Sequence, residues 1–182
     1  MEHLWSPWRL EYVTGAKPAG CVFCLKPAPA SGHASSAAAD TIVADTPAAA
    51  ADPLILFQGR TAYVILNLYP YNNGHLLVVP FRHEPTLAGL TAEEMQEVGL
   101  LVQRGEAVLR EAYPLEGINV GVNLGRTAGA GIIEHVHVHM VPRWHGDTNF
   151  MTVVGQTRVL PEELASTAAR LRPIFARLAE AG

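Results

Sequence analysis

The sequence predicts an α+β fold: an antiparallel sheet crossed by one long helix and followed by a C-terminal helix. Three observations carry this. Short β-branched runs separated by breaker residues fill positions 54–80, apolar residues recur at helical spacing from Thr91 to Ala112, and the run from His135 to Met140 alternates with the period of a strand.

At 182 residues, 49% hydrophobic and 16% charged, the chain is long enough to bury one substantial core and too apolar for disorder. One globular unit is expected, with an N-terminal arm and loop (1–53), a main domain (54–160) and a C-terminal helix (161–182). The net charge is −4 and no basic run occurs, so the footprint for gripping a nucleic-acid polymer is missing. A nucleotide partner would bind singly. "EHLWSPWRLEY" after Met1 lacks the basic start and apolar stretch of an export signal, and no run reaches the length of a membrane span. A cytoplasmic protein with no membrane partner is therefore expected.

Trp5, Trp8 and Tyr12 predict an arm packed on the body. Residues 27–53, rich in Ala, Pro and Ser around one "TIV", predict a long surface loop carrying a solvated His33. "LILFQG", "TAYVILNL" and "HLLVVP" follow as strands, turning near Gly59 and Arg60 and again at "YPYNNG", which is the order of an antiparallel meander. Thr91 with Glu94 three residues on predicts a helix N-cap, and Met95, Val98, Leu101, Val102, Val108 and Leu109 mark the face toward the sheet. "GINVGVNLG" predicts a strand leaving the sheet at Gly125, and "RTAGAGIIE" a glycine-rich loop into the histidine run. "FMTVVG" predicts a further strand, and the segment from Pro161 an amphipathic helix broken near Pro173.

Strand alternation places His135, His137 and His139 on one face, with Val136, Val138 and Met140 on the other. Same-face neighbours lie roughly 6.5 to 7 Å apart. That spacing suits contacts along a polyphosphate, and equally two ligands of one metal ion. Thr, Lys or Glu would solvate a strand as well as His, so chemistry is the stronger reading of a triplicate. A neutral imidazole held by a hydrogen bond from one nitrogen to a carbonyl keeps the other lone pair for attack on phosphorus. The loop "AGAG" at 128–131 offers backbone N–H groups of Gly129, Ala130 and Gly131 to phosphoryl oxygens. Three functions stay open: nucleotidyl chemistry on a ring, a metallohydrolase with the three rings as ligands, and a nucleotide-binding module without turnover.

Cys21 and Cys24 in "CVFC" enclose too short a loop for a disulfide to stabilise much. A thioredoxin-like context is missing, which favours metal over redox use.

"EHVHVHMVPRW" resembles the histidine triad family, whose signature of His, apolar, His, apolar, His and two apolar residues is filled from His135 to Val141. The resemblance implies a sheet of about five strands per subunit, a homodimer, and a nucleotidyl-histidine intermediate on His137, with His139 at the α-phosphate. "NGHLLVVP" matches the family's earlier strand and implies that His75 supports the nucleophile. Asn67, eight residues before it, is implied as a ribose partner, and Asn123 as a substrate-proximal amide. "LWSPWR", "LNLYPYNNGHLLVVP", "NVGVNLG" and "VPRWHGDTNFMTVVG" carry the resemblance toward the diadenosine tetraphosphate phosphorylase subgroup. There the nucleotidyl acceptor is inorganic phosphate, with water the alternative. The zinc-containing branches imply one structural zinc per chain on Cys21, Cys24, His83 and His135.

One departure is informative. Many members carry Ser or Thr close before the triad, able to help protonate a leaving amine; here stand Gly131, Ile132 and Ile133, with Thr127 in the loop. A polyphosphate leaves without that help, so phosphoanhydride substrates are favoured. His3 and His145 read as surface residues, and Trp5, Trp8 and Trp144 as core or dimer contacts.

Overall fold

The computed structural model describes residues 20–24, 52–147 and 162–180. Trp5, Trp8, Tyr12, His3, His33, "TIV" and the predicted strand "FMTVVG" lie outside the described residues. Five strands, β1 (Ile55–Gln58), β2 (Ala62–Leu66), β3 (Leu76–Pro80), β4 (Gly117–Val122) and β5 (Val138–Arg143), form one antiparallel sheet in the order β1-β2-β3-β5-β4. Helix α1 (Ala92–Ala112) connects β3 to β4, and helix α2 (Leu164–Glu180) closes the described chain.

The predicted cap forms at the start of α1. Thr91 Oγ1 accepts from the Glu94 N–H at 3.2 Å, and the Glu94 carboxylate accepts from the Thr91 N–H at 2.7 Å. Glu94 also takes Nε and Nη2 of Arg82, each at 2.8 Å, and so fills the inward place in the first turn. Met95 is displaced from the expected face and is 40% exposed. Val98, Leu101, Val108 and Leu109 are buried as expected. Between them, Gly105 lets the helix approach β5, because a Cβ there would lie 2.8 Å from Met140 Sδ.

Helix α2 corrects an expectation, since it runs unbroken through Pro173. Ala168, Leu171 and Phe175 face the core, while Pro173 and Ala169, whose carbonyl loses its donor, are both exposed. Core packing holds the inner face and water can serve the orphaned carbonyl on the outer one.

The two faces of the sheet divide by residue parity. Ala62, Val64, Leu66, Leu76, Val78, Val138 and Met140 lie under the helices. Tyr63, Ile65, Leu77 and Val79 point the other way and meet Phe23. Leu77 is in register with His139, so the imidazoles share this second face. Around these rings it is largely closed: His75 and His135 are 0% exposed and His137 is 6% exposed.

The three histidines do not share one paired strand. Only His139 lies in β5, while His135 and His137 precede it. The ladder ends at the Val78–Val138 pair, two residues before β3 itself ends; beyond it the Pro80 carbonyl lies 2.9 Å from the His135 Nε2 and the Val136 N–H donates to the Glu84 carbonyl instead. Similarly, β4 ends at Val122, before Gly125, which turns at φ +83° into a single 3-10 turn over Arg126–Ala128.

Candidate active site and metal cluster

The residue that enters β5 sets the first feature. His137 Nδ1 lies 2.8 Å from the backbone carbonyl of His135. A carbonyl only accepts, so Nδ1 carries the proton and Nε2 keeps a lone pair. Burial pulls the His137 pKa below its ordinary value, while the carbonyl bond opposes this. The ring is held on its side by Phe23, whose centroid is 4.9 Å away.

His139 has the opposite tautomer. The Tyr71 backbone N–H donates to His75 Nδ1 at 3.0 Å, and the Asn67 amide nitrogen lies 3.2 Å from the same atom. Nδ1 of His75 is therefore an acceptor, and its proton sits on Nε2. That Nε2 donates to His139 Nδ1 at 3.0 Å, which leaves His139 with its own proton on Nε2. Two residues apart, one ring presents a lone pair and the other an N–H. The pair stays uncharged on the His75 side, where burial, then His139 and His137, push the pKa down to about 3.

Several implied roles change in detail. His75 is hydrogen-bonded to His139 rather than to His137. Asn67 is engaged within its own turn, its Oδ1 accepting from the Tyr69 N–H at 3.1 Å, and one hydrogen of its amide remains beyond the contact with His75. In the glycine loop, the Gly129 N–H donates to the Arg126 carbonyl and the Ala130 N–H to the Gly125 carbonyl. These two close the loop on itself, leaving Gly131 as the open donor of the three. Asn123 lines a cavity beside His139. Thr127 is exposed in the 3-10 turn, His145 is exposed, and Trp144 meets Tyr113 edge-on at 6.1 Å.

Cys21, Cys24, His83 and His135 form a separate cluster, their ligand atoms all within 4.8 Å of one another. His135 Nδ1 is 3.3 Å from Cys21 Sγ and 3.5 Å from Cys24 Sγ, and His83 Nδ1 is 3.3 Å from Cys24 Sγ. Tetrahedral zinc with two thiolates and two imidazoles sets such sulfur–nitrogen pairs about 3.5 Å apart. The donor set fits. On the far side of the His135 ring, Nε2 donates to the Pro80 carbonyl, the orienting bond expected of a ligating histidine. Desolvation and the neighbouring Cys21 sulfur push the Cys24 thiol up to about 11, which a bound cation would reverse. The triad itself does not converge on a metal: its three Nδ1 atoms face the thiols, a carbonyl and His75.

The HIT domain model matches residues 49–146. The chain belongs to the HIT domain family. This HIT-domain chain is 36% identical over 177 residues to an AP-4-A phosphorylase of Mycobacterium tuberculosis, covering 97% of the chain and 86% of that relative. A bis(5'-adenosyl)-triphosphatase of Dictyostelium discoideum is 32% identical, covering 66% of the chain and 85% of that protein. Among solved structures, a Zn-bound histidine triad family protein from Mycobacterium smegmatis aligns with a TM-score of 0.59 at 26% identity, over 72% of this chain and 90% of that one. No helix among the described residues is long and apolar enough to cross a membrane.

Two residues of the HIT-domain site escape sequence reasoning. Phe23 stands inside "CVFC", where only the cysteines invite attention, yet it packs on both His135 and His137 and its carbonyl accepts from Tyr63 Oη at 2.9 Å. Tyr71 acts through its backbone N–H, which no side-chain motif reports.

Proposed function

We propose that this HIT-domain chain cleaves dinucleoside polyphosphates, diadenosine tetraphosphate among them, by passing a nucleotidyl group through His137 to inorganic phosphate. The observation that carries the reading is the 2.8 Å bond from His137 Nδ1 to the backbone carbonyl of His135, two residues before it, which frees Nε2. Attack by that lone pair on the α-phosphorus forms an N–P bond and breaks the P–O bond to the rest of the polyphosphate, which departs with the electron pair. His139 Nε2–H and the Gly131 N–H then donate to phosphoryl oxygens as charge gathers there. Asn67 directs its remaining amide hydrogen to the ribose, and Asn123 faces the substrate. In the second half, an oxygen of phosphate attacks the same phosphorus, releases His137 and yields a nucleoside diphosphate.

Similarity to the AP-4-A phosphorylase supports phosphate as acceptor, and similarity to the triphosphatase supports water as the second reading. Zinc on Cys21, Cys24, His83 and His135 would be structural: a closed set of four ligands gives a cross-link between the "CVFC" turn and the segment leading to His137, with no open position. A cytoplasmic homodimer, with residues 54–160 as the catalytic domain flanked by the arm and the C-terminal helix, completes the reading.

Incubation with diadenosine tetraphosphate, with and without phosphate, tests it. ADP plus ATP only when phosphate is present is expected. AMP plus ATP in both cases would move the assignment to a hydrolase, and no cleavage under either condition would overturn it.

A further inference from the structure

Next to His139 lies a cavity of about 420 Å³, bordered by Tyr71 and Asn72 of the β2–β3 turn, whose lining over β4 and β5 includes Asn119, Gly121, Asn123, His139 and Arg143. All five are odd-numbered positions of β4, β5 and the turn after β4, so they belong to the face that bears the imidazoles. Strand order gives the cavity its direction. Asn67 follows β2, His75 precedes β3, His139 is on β5, and Gly121 is on β4 at the edge. A nucleotide with its ribose at Asn67 and its α-phosphate over His137 and His139 therefore extends its remaining phosphates over β4.

Two features suit the cavity to an anionic chain. Gly121 is in register with His139, and a Cβ there would meet nothing within 4 Å. A glycine inside a strand, with open space where its side chain would be, leaves room for close approach beside the ring. The second feature is the orientation of donors. Arg143 is fixed by Asp147 through Nε at 2.6 Å and Nη2 at 2.8 Å, and its Nη1 donates to Asn119 Oδ1 at 2.8 Å. With its oxygen taken, Asn119 presents its NH₂, and Arg143, whose side chain is 44% exposed, keeps one N–H on each of Nη1 and Nη2 beyond these bonds.

We propose that this cavity is the subsite for the leaving arm of the substrate, the polyphosphate of the second nucleotide, held by Asn119 and Arg143 across the gap left by Gly121. The proposal rests on the nucleotidyl-transfer reading above, and after departure of that arm the same donors receive the incoming phosphate.

The test compares two substrates that deliver the same adenylyl group to His137: diadenosine tetraphosphate, with a long leaving arm, and adenosine 5′-phosphofluoridate, which releases only fluoride. Gly121→Val fills the gap and Asn119→Ala removes a donor at an exposed edge, with thermal unfolding showing that each variant is folded. The expected result is a fall in the ratio of kcat/KM for the tetraphosphate to that for the fluoridate, at least tenfold for Gly121→Val and severalfold for Asn119→Ala. An unchanged ratio in both variants, whether both substrates weaken together or neither does, overturns the subsite. Failure of the parent protein to release fluoride or to cleave the tetraphosphate would instead strike the nucleotidyl-transfer reading itself.

Discussion

His75 and His139 are joined by one hydrogen bond of 3.0 Å, from Nε2 to Nδ1, and its direction is set by the backbone N–H of Tyr71 on the far side of His75. A main-chain donor thus decides which nitrogen of His139 carries its proton.

Replacing His75 by Asn removes that control. His139 is then free to take either tautomer, and kcat should fall roughly 10- to 100-fold with a smaller change in KM, as for loss of an oriented donor. ¹⁵N chemical shifts of the His139 ring should change from one tautomer to a mixture. A single unshifted tautomer in the variant would disprove the relay.

Glycine at position 137 should lower turnover of diadenosine tetraphosphate by at least about 10³-fold. Exogenous imidazole, placed in the vacated space, should restore part of it. The parent protein quenched in acid-free denaturant during turnover should carry an alkali-stable, acid-labile nucleotidyl adduct that the variant lacks. Parental rates in the variant would contradict covalent transfer through this ring.

Metal removal distinguishes a staple from a catalyst. Elemental analysis should find about one zinc per chain, and Cys24→Ser should lower both metal content and the melting temperature. A chelator should reduce activity only as fast as the protein unfolds. Immediate loss of turnover with the melting temperature unchanged would mean that the ion takes part in the chemistry.

Acid should weaken the fold through His75. Burial holds its folded pKa near 3, below the ordinary value of 6.5 that the unfolded chain keeps, so between the two values the unfolded chain binds a proton that the fold refuses. The associated stability is whole above about pH 6.5 and is lost as pH falls toward about 3, at up to about 1.4 kcal/mol per pH unit. Urea unfolding at pH 7 and pH 5 should show the loss, and His75→Gln should reduce the difference between the two. An equal difference in that variant would place the acid sensitivity elsewhere.

Much of this was legible in the residues because it depends on local geometry. Thr91 and Glu94 cap a helix through atoms three residues apart, and the alternation around His139 follows from the two-residue period of any strand. The meander from Ile55 to Pro80 is written in its turns. Met95 and Pro173 departed from expectation because distant packing overrode the local pattern: Glu94 turned inward to meet Arg82, and Leu171 and Phe175 held α2 to the core across the proline.

Sequence by itself therefore determined the fold class, the run of imidazoles on one face, and the cysteines and histidines that form one cluster able to hold a metal ion. Tertiary structure alone decided which atom meets which: that His75 addresses His139, that Gly129 and Ala130 turn their N–H groups into their own loop, and that Phe23 lies against His137. The reason is that periodicity is a property of neighbouring dihedral angles, whereas the direction of a hydrogen bond between residues 64 positions apart exists only once the sheet has brought β3 and β5 together.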